Sequence, residues 1–95
     1  MLRIAILALG LLSAPAIANS HYRAQPVAKP AVSKFVASDT IWRCGDAGCV
    51  AGKSNSRPKI VCERLVREVG PLASFSVQGE PLDPRDLEKC NARAN

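Results

Sequence analysis

The sequence predicts a small α+β domain held by disulfides, in which a β-hairpin is followed by a helix, a strand and a C-terminal helix. Three observations predict it. Cys44, Cys49, Cys62 and Cys90 all follow a stretch with the layout of an export signal. Residues 58–69 place apolar side chains at helical spacing, while residues 35–51 and 73–77 hold short runs rich in β-formers. From residue 35 onward the chain has about sixty residues, near the lower limit for a core that holds alone, and small exported domains of that size use cysteines as staples.

The export signal comes first. Met1-Leu2-Arg3 is a short positive start, Ile4 to Leu12 is apolar, and small residues lead to Ala16-Ile17-Ala18. This is the three-part layout of a signal peptide over residues 1–18, with cleavage after Ala18. The apolar run is about half of the ~20 residues a membrane-spanning helix needs, so no transmembrane helix is expected in the mature protein. A periplasmic or secreted location follows. Loss of Arg3 takes the formal net charge from +5 to +4, leaving 12 basic residues against 8 acidic ones. Arg23, Lys29 and Lys34 lie in a segment, residues 19–34, that has no acid and two prolines, Pro26 and Pro30. It reads as a flexible basic arm ahead of the domain at residues 35–95. A basic arm on a balanced domain suits anionic envelope surfaces, and nucleic acid is a poor fit to the compartment.

Phe35-Val36-Ala37 and Thr40-Ile41-Trp42-Arg43-Cys44 are β-forming, and Gly45-Asp46-Ala47-Gly48 leads to Cys49-Val50-Ala51, which predicts a hairpin. Cys44 and Cys49 facing each other across it fall within the usual disulfide reach, about 4.4–6.8 Å between Cα atoms. Pro58 suits the first turn of a helix running to Val69, capped by Ser56 or Asn55. Val61, Cys62, Leu65, Val66 and Val69 share its buried face, and the pairs Glu63/Arg67 and Arg64/Glu68 lie on the wet side. Gly70-Pro71 ends it. Ala73, Phe75 and Val77 alternate with serines as a half-buried strand, and Gln78-Gly79-Glu80 turns the chain. Asp83 caps a final helix with Pro84 in its first turn and Leu82 packed on Leu87; Leu87, Cys90 and Ala94 face inward.

Four cysteines allow three pairings. The geometry favours Cys44 with Cys49 and Cys62 with Cys90, worth roughly 2 and 3.5 kcal/mol by loop entropy. A zinc site is the rival reading, but Cys62 and Cys90 stand apart on helix faces. A redox pair is another, but the Cys44–Cys49 spacing is not the Cys-x-x-Cys of a reactive thiol.

Catalysis finds little support. His21, the single histidine, lies in the basic arm, and no phosphate loop, nucleophile elbow or metal-binding histidine pair is present. Asp39, Asp46, Glu80 and Glu88 are acids without an evident structural role, and nothing pairs them into a site. The chain therefore reads as a non-enzyme with no catalytic residues, metal or cofactor. The candidate binding residues are the cluster Lys53, Arg57 and Lys59, with no acid from Ala47 to Val61, and Trp42. Trp42 reads more readily as a packing residue than as an exposed contact.

Ile41-Trp42-Arg43-Cys44, Cys49, Arg57-Pro58-Lys59-Ile60-Val61-Cys62, Val69-Gly70, Ser74-Phe75 and Leu87-Glu88-Lys89-Cys90-Asn91 together resemble a group of small secreted alphaproteobacterial proteins without an established activity. The resemblance spans residues 35–92, implies a periplasmic or secreted location and carries over no site residues. The leading functional expectation is a binding or interaction module contacting an anionic envelope glycan, lipid or protein. An inhibitor of an envelope hydrolase is the alternative, and a small enzyme using the unplaced carboxylates comes third.

Overall fold

The computed structural model describes residues 20–95; the expected signal peptide, residues 1–18, and its expected cleavage after Ala18 lie outside the described residues. The fold is α+β: one antiparallel sheet of six strands, two helices and two disulfides. The strands are β1 (Tyr22–Pro26), β2 (Lys34–Ala37), β3 (Thr40–Gly45), β4 (Gly48–Ala51), β5 (Leu72–Val77) and β6 (Glu80–Pro81). Helix α1 (Pro58–Val69) joins β4 to β5, and α2 (Pro84–Asn91) follows β6. The spatial order is β2-β3-β4-β1-β5-β6.

The largest difference from the sequence reading is β1. Residues 19–34 were expected to form an arm, yet Tyr22–Pro26 is a strand inside the sheet, paired with β4 on one side and β5 on the other. The reason is its alternation: Tyr22 and Ala24 are buried while Arg23 and Gln25 are exposed. Tyr22 packs against both Trp42 and Phe75 in a three-ring cluster, with ring centroids 6.0 and 5.9 Å away, and its hydroxyl accepts the Ser54 N–H at 3.2 Å. Pro26 is tolerated because the β4 pairing ends at Ala24 and the register against β5 shifts between Gln25 and Pro26. The domain thus begins well before residue 35.

That shift also breaks the expected alternation of β5. Ser74 pairs with Gln25 and Leu72 with Pro26, leaving Ala73 as the extra residue of a bulge. Leu72 and Phe75 are buried, whereas Ala73, expected inside, is exposed. Two-residue turns at Ser38-Asp39 and Gln78-Gly79 have positive φ at both positions, the conformation that matches strand twist in tight hairpins.

The expected hairpin is β3–β4, with Cys44 opposite Cys49 and their Cα atoms 4.0 Å apart, slightly closer than the usual range. Gly48 opens β4 at φ +116°, and a Cβ there would lie 2.6 Å from the Ala24 carbonyl oxygen. Backbone cannot yield as a side-chain tip can. Gly48→Ala is therefore expected to cost more than the ~1 kcal/mol typical of a positive-φ glycine, read as a lower urea midpoint; an unchanged midpoint would show that β1 does not pass so close.

Helix α1 has the expected bounds and buried face: Val61, Cys62, Leu65, Val66 and Val69. Its N-cap is Arg57, with no side-chain cap bond. Neither Ser56 nor Asn55 caps it, because Pro58 takes the first helical position, which makes Arg57 the N-cap residue and removes one orphan N–H. The Gly70 N–H closes the other end on the Val66 carbonyl at 2.8 Å. Helix α2 starts as expected, with Asp83 accepting the Arg85 N–H at 2.8 Å. Cys62–Cys90 ties the helices across their buried faces. Asn91 adds a second tie between α2 and β5: its side chain accepts the Leu72 N–H at 2.8 Å and donates to the Leu72 carbonyl at 2.9 Å.

Candidate binding surface

The core comprises the helices and one face of the sheet, from which Tyr22, Ala24, Trp42, Cys49, Ala51 and Phe75 point inward. Among the described residues no layer covers the other face. Because side chains alternate along each strand, the residues between these core positions stand together on that open face.

Strand registers line them up. Lys34 lies opposite Arg43, Arg43 opposite Val50, Val50 opposite Arg23, and Arg23 opposite Ser76, in one row that crosses the sheet. Lys34, Arg43 and Arg23 are exposed and no acid stands in the row. With strands about 4.8 Å apart, Arg43 and Arg23 are about 10 Å apart across Val50. Beside this row, Val36 pairs with Ile41, and both are exposed, at 69% and 45%. On the other flank Gln25 pairs with Ser74. A shallow depression of about 830 Å³ runs over this face, lined in part by Arg23, Gln25, Ile41, Arg43, Val50 and Ser76. Asp46 stands at its turn end, 3.6 Å from Lys29, and both side chains are largely solvated.

The row has a cost. Like charges directly opposite each other on a sheet repel, at roughly 0.2–1 kcal/mol per pair, and Lys34 faces Arg43 in that way. Any short polar residue would solvate this face without that penalty.

The residues singled out from sequence fall elsewhere. Lys53, Arg57 and Lys59 are exposed around the β4–α1 connection. Their surroundings are less one-sided than the sequence suggested, because Lys59 Nζ lies 3.9 Å from Asp86 Oδ1 of α2. Trp42 is fully buried, so it packs the core and is removed as a contact residue. His21 is half-buried and sits edge-on to Tyr22 at 4.6 Å, held at the start of β1 instead of in an arm. Among the unplaced acids, Asp39 occupies the β2–β3 turn, Asp46 the β3–β4 turn, Glu80 β6 and Glu88 α2. Glu88 shares a shallow surface with Asp83 and Asp86, of which the first caps α2 and the second faces Lys59. Glu63 approaches Arg93 at 4.0 Å, a contact to the segment after α2 that its helical spacing from Arg67 did not suggest.

The cationic row escaped the sequence reading because its members come from three strands and two of them, Arg23 and Lys34, fall within the residues taken for an arm. The signal was nonetheless present in two alternations: Ile41-Trp42-Arg43 with tryptophan inward, and Tyr22-Arg23-Ala24-Gln25 with tyrosine inward.

Among the described residues no helix is long and apolar enough to cross a membrane, and the two disulfides are compatible with an extracellular location. No curated protein and no solved structure matches the chain. A family profile matches residues 7–92, taking in β1 as well as the cysteine-bearing part, and the chain belongs to that family, a family of unknown function (DUF8200).

Proposed function

We propose that this protein is an exported, periplasmic or secreted binding module, not an enzyme, and that it engages an anionic envelope component through the open face of its sheet. The observation that supports this reading is the row Lys34, Arg43 and Arg23, a set of cations on an uncovered face that carries a folding cost and no compensating acid in the row. The Lys53, Arg57 and Lys59 cluster is the weaker candidate, since Asp86 already offsets part of it.

The test is co-sedimentation with an isolated envelope fraction at low ionic strength. Arg23→Thr, Lys34→Thr and Arg43→Thr together should abolish sedimentation while shifting stability by no more than about 0.5 kcal/mol per site, as expected for exposed positions. Changing Lys53, Arg57 and Lys59 to threonine should leave it intact. The reverse pattern would move the binding surface to the β4–α1 connection, and sedimentation that survives both sets would remove cation-driven binding altogether.

Inhibition of an envelope hydrolase is a second reading, favoured by the exposed Gly45-Asp46-Ala47 turn, which the Cys44–Cys49 bridge holds at its base. Recovery of one stoichiometric enzyme on co-purification would favour it, and recovery of none would count against it.

A further inference from the structure

We propose that the partner of the open face is the anionic surface of a lipid bilayer, met by the cationic row and by Val36 and Ile41 together. This rests on the reading of that face as a binding surface and names what it binds.

The placement of apolar side chains separates a bilayer from the other anionic partners. Among the described residues the exposed large hydrophobic side chains are Val27, Val32, Val36 and Ile41, all between residues 27 and 41. They interleave along the chain with Lys29, Lys34 and Arg43. Val36 and Ile41 form a cross-strand pair on the open face, next to the Lys34–Arg43 pair. Aliphatic and cationic groups side by side match the boundary between headgroups and acyl chains, where basic side chains meet phosphate and aliphatic ones leave water.

An acidic glycan would make no use of exposed valine and isoleucine. Sugars are commonly held by exposed aromatic faces, but Tyr22, Trp42 and Phe75 are all buried. Charge alone would also bind weakly. Each Lys or Arg near an anionic surface contributes about fivefold in affinity, so three give on the order of a hundredfold. The aliphatic pair supplies what the cations lack.

The experiment is sedimentation of the oxidised chain from residue 19 to 95, which contains the whole described core and omits the apolar run of residues 4–12. The vesicles are phosphatidylglycerol mixed with phosphatidylethanolamine, compared with phosphatidylcholine alone. Partition should be strong on the anionic vesicles, weak on phosphatidylcholine, and lowered by added salt. Arg23→Thr and Arg43→Thr should each reduce it about fivefold, and Val36→Ser with Ile41→Ser about tenfold.

Equal partition onto both vesicle types, or indifference to the Val36 and Ile41 changes, would overturn the proposal. So would polygalacturonate, a soluble acidic glycan, binding through the same arginines at least as tightly as the vesicles. If the envelope fraction still binds through the row while the vesicles do not, the bilayer is excluded and the open face stands. If neither binds, both fall.

Discussion

Tyr22→Ala is expected to remove about 3–5 kcal/mol of stability, the range for deleting a large aromatic from a packed core. Tyr22 is 2% exposed, stacks on Trp42 and Phe75, and belongs to a strand with partners on both sides. A domain of this size holds about 4–11 kcal/mol in all, so the variant should be largely or wholly unfolded at 37 °C. The contrast with the alternative is sharp. Were residues 19–34 an arm outside the domain, the same change would move stability by less than about 0.5 kcal/mol. Urea unfolding followed by tryptophan fluorescence reads the difference directly, because Trp42 is the single tryptophan and is fully buried.

Replacing Cys62 and Cys90 together by alanine should cost roughly 3.5 kcal/mol, against roughly 2 kcal/mol for Cys44 and Cys49 together. The order follows from the loops closed, with sequence separations of 28 and 5. Position reinforces it. Cys62 and Cys90 are both buried and are the covalent link between α1 and α2, while Cys44 and Cys49 already lie opposite each other in an antiparallel ladder. Without its bridge α2 keeps the Asn91 contacts to Leu72 and the packing of Leu82 and Leu87. Thermal unfolding of the two double variants checks the order; a larger loss from the Cys44/Cys49 pair would contradict it.

These two residue sets mark where the sequence was legible and where it was not. Helix α1 could be read to its ends because five apolar residues repeat at helical spacing between a proline and a glycine. The start of α2 was equally clear from Asp83 and Pro84. The stapled hairpin followed from cysteines flanking a glycine-bearing turn. Strand β1 was obscured because it carries only two inward residues, one of them alanine, and ends at a proline that normally argues against an interior strand. Its stability comes from neighbours that sequence does not place beside it. The β5 bulge was hidden for the same reason, since Ala73 turns outward only because the register against β1 shifts between Gln25 and Pro26 and leaves it without a partner. The first of these misses bears on function. With residues 19–34 counted as an arm, the sheet loses Arg23 and Lys34 and the cationic row does not exist, which left Lys53, Arg57 and Lys59 as the visible basic cluster.

If the open face of the completed sheet is the working surface, its residues must respond to an anionic bilayer. The most direct measurement is the backbone amide NMR spectrum of the oxidised domain titrated with bicelles containing phosphatidylglycerol. The perturbed amides should be those of Arg23, Lys34, Val36, Ile41 and Arg43, with the helices silent. Perturbations centred on Lys53, Arg57 and Lys59, or on α2, would contradict it.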